Sequence, residues 1–353
     1  MDLDALLAQV AEEGASDLQL TVEAPPVLRK NGVLHWLELP PLAVSDMDAA
    51  FARLATAEQA ERMRRSGSVE FTHSLSGVGR FRVNAYRQRG SIALAIRAIP
   101  AQALRLEELG IPDSAREFVL QSGGLVLVVA PPGGGKSTTL AAMVEELNHH
   151  RAVHVITLED PIEHLHKHHK ALVDQREVGV DCASFVEGVT SATRQDADAI
   201  VIGELADPPT VAAALTVAGT GQLVLAAMRQ LDVAGALGQL VDLFPRAQQA
   251  QIAWQLAAVL TGAVAQTLVP ARSGGRVAVF EVLVATESVR ALVREQKYPQ
   301  LRGVIRAGVR HGMCAFEQSW RDLCVRGVCD PSVAPLFVLS REFGGGAATD
   351  PHS

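Results

Sequence analysis

The amino-acid sequence predicts an α/β protein in which a small mixed domain precedes a larger domain built on a mostly parallel sheet. From residue 124 onward, short apolar runs alternate with helical stretches, which is typical of parallel strands joined by helices. The composition agrees, because 48% of the residues are hydrophobic but only 4% are aromatic, as in sheets covered on both faces by aliphatic side chains. A glycine-rich loop between a strand and a helix favours the same fold.

The first domain is predicted to span residues 1–99. Apolar residues from Leu3 to Val10 recur at helical spacing, and Asn31-Gly32 is typical of a hairpin turn. The predicted elements are a helix at 2–13, a strand at 17–22, a hairpin at 27–39, one helix at 45–65, and strands at 79–86 and 91–97.

The second domain is predicted to follow a linker at residues 100–116, and the next helix should begin near the end of this linker, at about Asp113. Its core should span residues 117–285, followed by a helical subdomain at 286–343 and a disordered, glycine-rich tail at 344–353. Within the core, strands are predicted at 125–129, 153–158, 199–202 and 223–227, and a long helix at 248–266.

Charge and cysteine content narrow the classes of function. The net charge is −7 and the isoelectric point is about 5.9, which argues against a nucleic-acid partner. The four cysteines form no CxxC pair, so free, reduced thiols are expected. No apolar run approaches the ~18 residues of a membrane helix, so no direct insertion into a membrane is expected. The acidic start of the chain does not fit a signal peptide.

The predicted strand at 125–129 runs into a phosphate-binding loop and then into a helix. Its glycines let successive N–H groups face phosphate oxygens, and the helix N-terminus adds partial positive charge. Lys136 is placed to reach the β- and γ-phosphates of ATP, and Ser137 to ligate Mg²⁺. The motif's first glycine is replaced by Ala130. The alternative to a phosphate-binding loop is a glycine-rich turn that binds no nucleotide. The predicted binding residues are Pro131, Pro132, Gly133, Gly134, Gly135, Lys136, Ser137 and Thr138.

Carboxylates follow two of the predicted strands. Glu159, Asp160 and Glu163 come at and after the end of one strand, and Glu204 follows another. In a parallel sheet these strand ends gather beside the phosphate loop. A carboxylate there can support the Mg²⁺ shell or polarise a water aimed at the γ-phosphate. Solvated loop acids are the alternative.

Motifs along nearly the whole chain resemble those of the PilT/PilU family of pilus retraction ATPases, within the wider type II/IV secretion ATPases. They are Gly14-Ala15-Ser16-Asp17-Leu18, Gly79-Arg80-Phe81-Arg82-Val83-Asn84-Ala85-Tyr86, the phosphate loop, the acidic segment 156–163, Gln175-Arg176-Glu177-Val178, Arg194-Gln195-Asp196 with Gly203-Glu204, and Leu240-Val241-Asp242-Leu243-Phe244-Pro245.

The resemblance implies a PAS-like N-terminal domain, a RecA-like ATPase domain and a hexameric motor that hydrolyses ATP with Mg²⁺ to power type IV pilus retraction and twitching motility. Glu163 would be the catalytic base and Glu204 the Walker B acid, with a role in holding Mg²⁺. Arg82 and Arg97 would complete the nucleotide site. The alternative is that both are simply exposed basic residues on strands. Segment 288–295, with Arg290, Arg294 and Glu295, resembles a helix motif that marks retraction motors.

Some positions depart from the family pattern. An arginine is replaced by Ala206, an acid by Gly219 and two histidines by Gln222 and Arg229. Arg229 can still offer a cation near the phosphate, as an arginine finger does. These changes keep open a second hypothesis, a PilU-like accessory subunit that binds nucleotide with weak or no turnover. A pilus-extension or secretion ATPase is a third hypothesis, but such proteins usually carry a four-cysteine zinc motif, which this sequence lacks. A DNA motor is a fourth, and the acidic net charge does not support it.

The resemblance also implies partners and a location. The ring would be homomeric, or heteromeric with a paralogous ATPase, and would act in the cytoplasm on an inner-membrane pilus platform protein.

His164, His166, His168 and His169 follow Glu163 closely. Histidines that alternate on a strand can hold a metal, but a polar surface loop is the favoured interpretation.

Overall fold

The computed structural model describes residues 1–30, 32–99 and 104–333. The chain divides into two compact units, which are described separately. The first consists of Met1–Gln102 with Pro161–Leu165, and the second of Ala103–Asp160 with His166–Ser353. The α/β fold class is therefore confirmed, with one sheet in each unit. The predicted tail at 344–353 lies outside the described residues.

The first unit is an antiparallel sheet with the strand order β3-β2-β1-β6-β5-β4. One face packs against the helices around a core that includes Leu7, Leu18, Met47 and Phe81. The elements are α1 (Leu3–Glu12), β1 (Asp17–Leu20), β2 (Val27–Lys30), β3 (Val33–Trp36), α2 (Val44–Leu54), α3 (Ala57–Ser66), β4 (Ser68–Leu75), β5 (Gly79–Gln88) and β6 (Ser91–Ile99).

The prediction of a single helix at 45–65 was wrong, because a new helix begins at Ala57. Thr56 caps that helix by accepting a hydrogen bond from the Gln59 backbone N–H at 3.3 Å. The Gln59 side chain accepts one from the Thr56 N–H at 2.8 Å in return. This capping box can be read in the sequence and should have divided the helical stretch. Strand β4 was also missed.

The second unit is a seven-stranded sheet with the order β13-β12-β7-β11-β10-β8-β9. All neighbouring strands are parallel except β13, which pairs antiparallel with β12 at the edge. Leu125 and Leu127 of β7 pack on one face, and Val126 and Val128 on the other. The strands are β7 (Gly124–Val129), β8 (His154–Glu159), β9 (Leu172–Glu177), β10 (Ala199–Ile202), β11 (Leu223–Met228), β12 (Leu260–Pro270) and β13 (Arg276–Val284).

Helices cover both faces of this sheet, as the aliphatic composition predicted. They are α4 (Leu106–Leu109), α5 (Asp113–Val119), α6 (Lys136–His150), α7 (Phe185–Ala192), α8 (Pro208–Gly219), α9 (Val233–Asp242), α10 (Arg246–Val259), α11 (Glu287–Arg294), α12 (Leu301–Ala307) and α13 (Phe316–Val325). The last three form the helical region that was expected from residue 286 onward. Between α11 and α12, Tyr298 lies in a short 3₁₀ helix, Tyr298–Gln300.

The predicted helix at 248–266 was wrong in its second half, because the chain becomes strand β12 at Leu260. This strand is inserted between β7 and β13, and almost all of its residues are buried or half-buried. A side chain at Gly262 would come within 2.4 Å of the Phe118 ring, so α5 packs directly on the strand backbone there. Pairing with β7, which is distant in sequence, and with β13, which follows directly, therefore overrides the helical continuation of α10.

Candidate nucleotide-binding site

The phosphate loop connects the end of β7 to the start of α6, as the sequence predicted. Gly133 and Gly135 have positive φ values of 71° and 88°, which favour glycine. The Gly134 N–H donates to the Pro131 carbonyl at 2.9 Å. The ammonium of Lys136 donates to the carbonyls of Ala130 and Pro131 at 3.2 and 3.4 Å. The lysine is thus folded over its own loop, where a phosphate would sit.

Alanine fits at the position where the motif has its first glycine. Ala130 is fully buried, and it is not among the residues with positive φ, so its side chain causes no backbone strain. A side chain at Gly134 would lie 2.8 Å from the Ala130 Cβ. The loop therefore tolerates the methyl group of Ala130 because position 134 is glycine.

Gln266 of β12 supports the phosphate loop through hydrogen bonds. The sequence had predicted this residue to lie at the end of a helix. Its side chain is buried, donates to the Gly134 carbonyl at 2.7 Å and accepts from the Thr139 hydroxyl at 2.6 Å. One amide thus connects the loop to the first turn of α6. The available signal was one amide side chain within the largely apolar run from Leu260 to Val269.

The carboxyl ends of the central strands converge on this loop. Met228 pairs with Val129 across β11 and β7, and the Ala130 N–H donates to the Met228 carbonyl at 3.2 Å. Ile202 pairs with both Leu158 and Ala226, so β10 ends within one or two residues of the ends of its two neighbours. Residues just beyond these strands therefore lie along the edge at which the phosphate loop begins.

Glu204 and Arg229, which follow β10 and β11, form a bidentate ion pair. Arg229 Nε lies 2.7 Å from Oε1 of Glu204, and Nη2 donates to Oε2 at 2.8 Å. The Arg229 side chain is 61% exposed and that of Glu204 27% exposed. Arg229 thus engages the predicted Walker B acid directly, a contact that the sequence did not indicate.

Glu159 is also held by neighbours, at the end of β8. Its Oε1 accepts hydrogen bonds from the Thr157 hydroxyl at 2.6 Å and from the Gln175 side chain at 3.1 Å. Gln175 in turn accepts from the His166 backbone N–H at 2.9 Å. This arrangement fixes the orientation of the Glu159 carboxylate relative to β9.

In the first unit, Arg82 and Arg97 lie opposite each other on β5 and β6. Arg82 Nη2 donates to Glu163 at 2.5 Å, and its Nε lies 3.3 Å from Glu70. Arg97 Nε donates to the buried carboxylate of Asp17 at 2.8 Å. The structure thus brings the predicted base together with one of the two predicted arginines, whereas Arg97 holds a partner on β1.

The helix motif near residue 290 has a structural contact of its own. Arg290 Nη1 donates to the carbonyls of Ala257 and Ala258 at 2.5 and 2.9 Å, so it caps the C-terminus of α10. Arg294 donates to Glu287 at 2.6 Å, and Glu295 lies 2.7 Å from Lys297. The role of this motif in a motor stays a prediction.

The cysteines show no sign of nucleophilic activation. All four are free, and desolvation raises the pKa of each thiol, that of Cys314 to about 11. The thiolate is the reactive form, so a raised pKa opposes thiol chemistry.

Among the described residues, no helix has the length and apolar character that a bilayer span requires.

Comparisons with known proteins agree with this geometry. The family model of the type II/IV secretion system protein matches residues 1–321. The type IV pilus retractation ATPase PilT of Pseudomonas aeruginosa is 38% identical over 328 residues, 93% of this chain and 95% of that protein. The type IV pilus ATPase PilU of the same organism is 34% identical over 328 residues, 93% of this chain and 86% of PilU.

A solved structure supports the same relationship. The crystal structure of the pilus retraction motor PilT with bound ADP superimposes with a TM-score of 0.87 at 36% sequence identity, and covers 94% of this chain and 95% of that one. The chain therefore belongs to the type II/IV secretion system protein family, within its PilT/PilU group of ATPases.

Proposed function

We propose that this protein is the ATP-hydrolysing motor of type IV pilus retraction and thus of twitching motility. The observation that carries the proposal is the phosphate loop at the carboxyl edge of a parallel sheet, with Lys136 folded over it and Glu204 just beyond β10, two strands from β7 in the same sheet. The resemblance to PilT over nearly the full length of both chains supports the coupling of this site to pilus retraction.

In this proposal the loop N–H groups and Lys136 bind the phosphates of ATP. Mg²⁺, held by Ser137 and Glu204, would supply charge neutralisation at the phosphates. Glu163 would accept the proton of the attacking water. Glu159 would contribute a second carboxylate near that water. Arg82 and Arg97 of one subunit would stabilise the negative charge on the phosphates bound in the neighbouring subunit.

The test is a set of single variants assayed for nucleotide affinity and phosphate release. Lys136→Ala should lose ATP binding, because the γ-phosphate loses its point charge. Glu163→Gln and Glu204→Gln should retain ATP but turn it over at least ~10²-fold more slowly, the usual scale for lost general-base help. Unchanged affinity and turnover in Lys136→Ala would overturn the assignment of the loop.

A second candidate, an accessory subunit with weak turnover, is favoured by the Glu204–Arg229 ion pair, which occupies the predicted Walker B carboxylate. If it is correct, phosphate release by the wild type is very slow. Restoring the family pattern with Gly219→Glu, Gln222→His and Arg229→His should then raise turnover. Fast turnover in the wild type would exclude this candidate.

We further propose a ring of six subunits, either of this chain alone or with a paralogous ATPase. Such a ring would act in the cytoplasm against an inner-membrane pilus platform protein, as expected for an ATP-driven motor of this family.

A further inference from the structure

Three potential metal ligands converge at the C-terminal end of α6, away from the phosphate loop. They are Glu145, His149 and His169, whose donor atoms lie within 4.8 Å of one another. Glu145 and His149 are one helical turn apart and so share a face of α6. The rings of His149 and His169 lie with their centroids 4.5 Å apart.

The loop that carries His169 is fixed to the helix by Asn148, which is fully buried. The Asn148 side chain donates to the Lys167 carbonyl at 2.6 Å and accepts from the His169 N–H at 3.0 Å. Its backbone carbonyl accepts from the Lys170 N–H at 2.9 Å. The backbone of the third ligand is thus held in place by hydrogen bonds to the residue that precedes His149.

Hydrogen bonds also orient the ligands on the helix. Nδ1 of His149 lies 2.8 Å from the Glu145 carbonyl. A carbonyl can only accept, so Nδ1 carries the proton and the neutral ring keeps its lone pair on Nε2. Histidines that bind metals are usually held in this way. Oε1 of Glu145 accepts from Nδ1 of His166 at 2.6 Å, and the His166 side chain is only 2% exposed.

The interpretation of the histidines at 164–169 as a polar surface loop was therefore wrong in part, because His164 and the side chain of His166 are buried. His166 lies behind Glu145 and positions its carboxylate. Burial alone would raise the pKa of Glu145, but the hydrogen bond from His166 holds that pKa below its ordinary value.

We propose that Glu145, His149 and His169 bind a divalent transition-metal ion, with Zn²⁺ as the best-suited ion. Two imidazoles and one carboxylate suit Zn²⁺, whereas Mg²⁺ and Ca²⁺ prefer sites made of oxygen ligands. Small side-chain rotations would bring the donors to bonds of about 2.0–2.2 Å and leave a fourth position for water. The partial negative charge at the C-terminus of α6 also favours a cation.

This site is separate from the proposed Mg²⁺ site. Ser137 and Glu145 are eight residues apart on α6, which corresponds to roughly 12 Å along the helix axis. A bound ion would join the end of the phosphate-loop helix to the loop before β9, and so stabilise α6 from the end opposite the nucleotide.

The test uses untagged full-length protein that has been treated with a chelator and then titrated with Zn²⁺, and with Co²⁺ as a spectroscopic probe. The wild type should bind one ion per chain, and Co²⁺ should show the intense visible bands of four-coordinate geometry. His149→Ala and the isosteric Glu145→Gln should each weaken binding by at least ~100-fold. Zn²⁺ should raise the Tm of the wild type, but of neither variant.

His150→Ala is the matched control. His150 follows His149 on the same helix and makes the same type of contact, with Nδ1 at 2.9 Å from the Glu146 carbonyl, but it is not part of the cluster. It should bind Zn²⁺ as the wild type does. Equal affinity in the wild type and His149→Ala, or no binding by the wild type, would overturn the proposal. Lys136→Ala should keep full Zn²⁺ affinity, which separates this site from the proposed nucleotide site.

Discussion

At the residue scale, the most consequential contact is the one between Arg229 and Glu204. The family resemblance implies a histidine at position 229, and a neutral imidazole cannot form the bidentate pair that the guanidinium makes here. The arginine therefore orients the acid, and it would compete with the Mg²⁺ of the proposed function for the same carboxylate. Its effect on ATP hydrolysis can be measured directly.

If the protein is the motor proposed above, we expect Arg229→Ala to lower kcat about 10-fold while the affinity for ATP changes much less, because the lost contact would orient the proposed Walker B acid in the transition state. Steady-state kinetics and nucleotide titration would measure the two quantities. Arg246→Ala, at an exposed arginine on α10, is the control. If Arg229→Ala turns over ATP at the wild-type rate, the pair has no part in catalysis.

At the element scale, β12 decides the shape of the phosphate loop through Gln266. Gln266→Leu would leave the Gly134 carbonyl and the Thr139 hydroxyl without their buried partner. We expect the free energy of unfolding to fall by about 1–3 kcal/mol. ATP affinity should also fall, since the loop loses its support.

Urea unfolding and nucleotide titration of Gln266→Leu would check both effects. Gln248→Leu, at an exposed position on α10, should leave stability and affinity unchanged. Wild-type affinity in a folded Gln266→Leu protein would show that the loop keeps its geometry without the amide.

The 3₁₀ helix between α11 and α12 carries a pH-sensitive group. The Tyr298 ring packs over Gly238 of α9, and its hydroxyl makes no hydrogen bond in the described part of the chain. Burial, and then the charge of Asp242, raise the pKa of Tyr298 to about 12. The unfolded chain has a tyrosine pKa of about 10. The folded state therefore holds the proton more tightly, and this stabilisation is lost as the pH rises from about 10 to 12.

We expect the wild type to lose more unfolding free energy than Tyr298→Phe between about pH 9 and pH 12. Urea unfolding at several pH values would measure the difference. Tyr86→Phe is the matched control, because Tyr86 is the other tyrosine of the chain and lies at the surface. Identical pH slopes for the wild type and Tyr298→Phe would contradict the expectation.

At the scale of the whole molecule, the proposed ring needs arginines from one subunit to complete the site of the next. Light scattering should show a hexamer, at least with an ATP analogue and Mg²⁺. A strict monomer at micromolar concentration under those conditions would count heavily against the ring.

Co-expression of two inactive variants gives a sharper test. We expect Lys136→Ala and Arg82→Ala to be inactive alone. A mixed ring would contain intact sites at about a quarter of its interfaces, so activity should return. A Lys136→Ala with Glu204→Gln mixture is the control, since both changes affect the same subunit's site and no interface regains it. No recovery in the first mixture would mean that Arg82 does not act across subunits.

The sequence by itself determined the features that depend on neighbouring residues. The strand, loop and helix around Lys136 are consecutive, and their glycines are required by local backbone geometry, so the pattern alone predicts them. The strands at 199–202 and 223–227 were predicted for the same reason, because each is a short apolar run. Glu204 and Arg229 follow those strands, and parallel strand ends meet at one edge of a sheet.

The tertiary structure decided which distant side chains meet. Gln266 reaches a loop more than a hundred positions earlier, and Glu204 pairs with Arg229 because β10 and β11 lie side by side. The change from α10 to β12 at Leu260 depends on the partner strands β7 and β13, which local propensity does not encode. The cluster of Glu145, His149 and His169 forms because buried Asn148 holds a loop against α6. The first three depend on strand pairing within the sheet and the last on a loop packed against a helix, so only the folded chain reveals them.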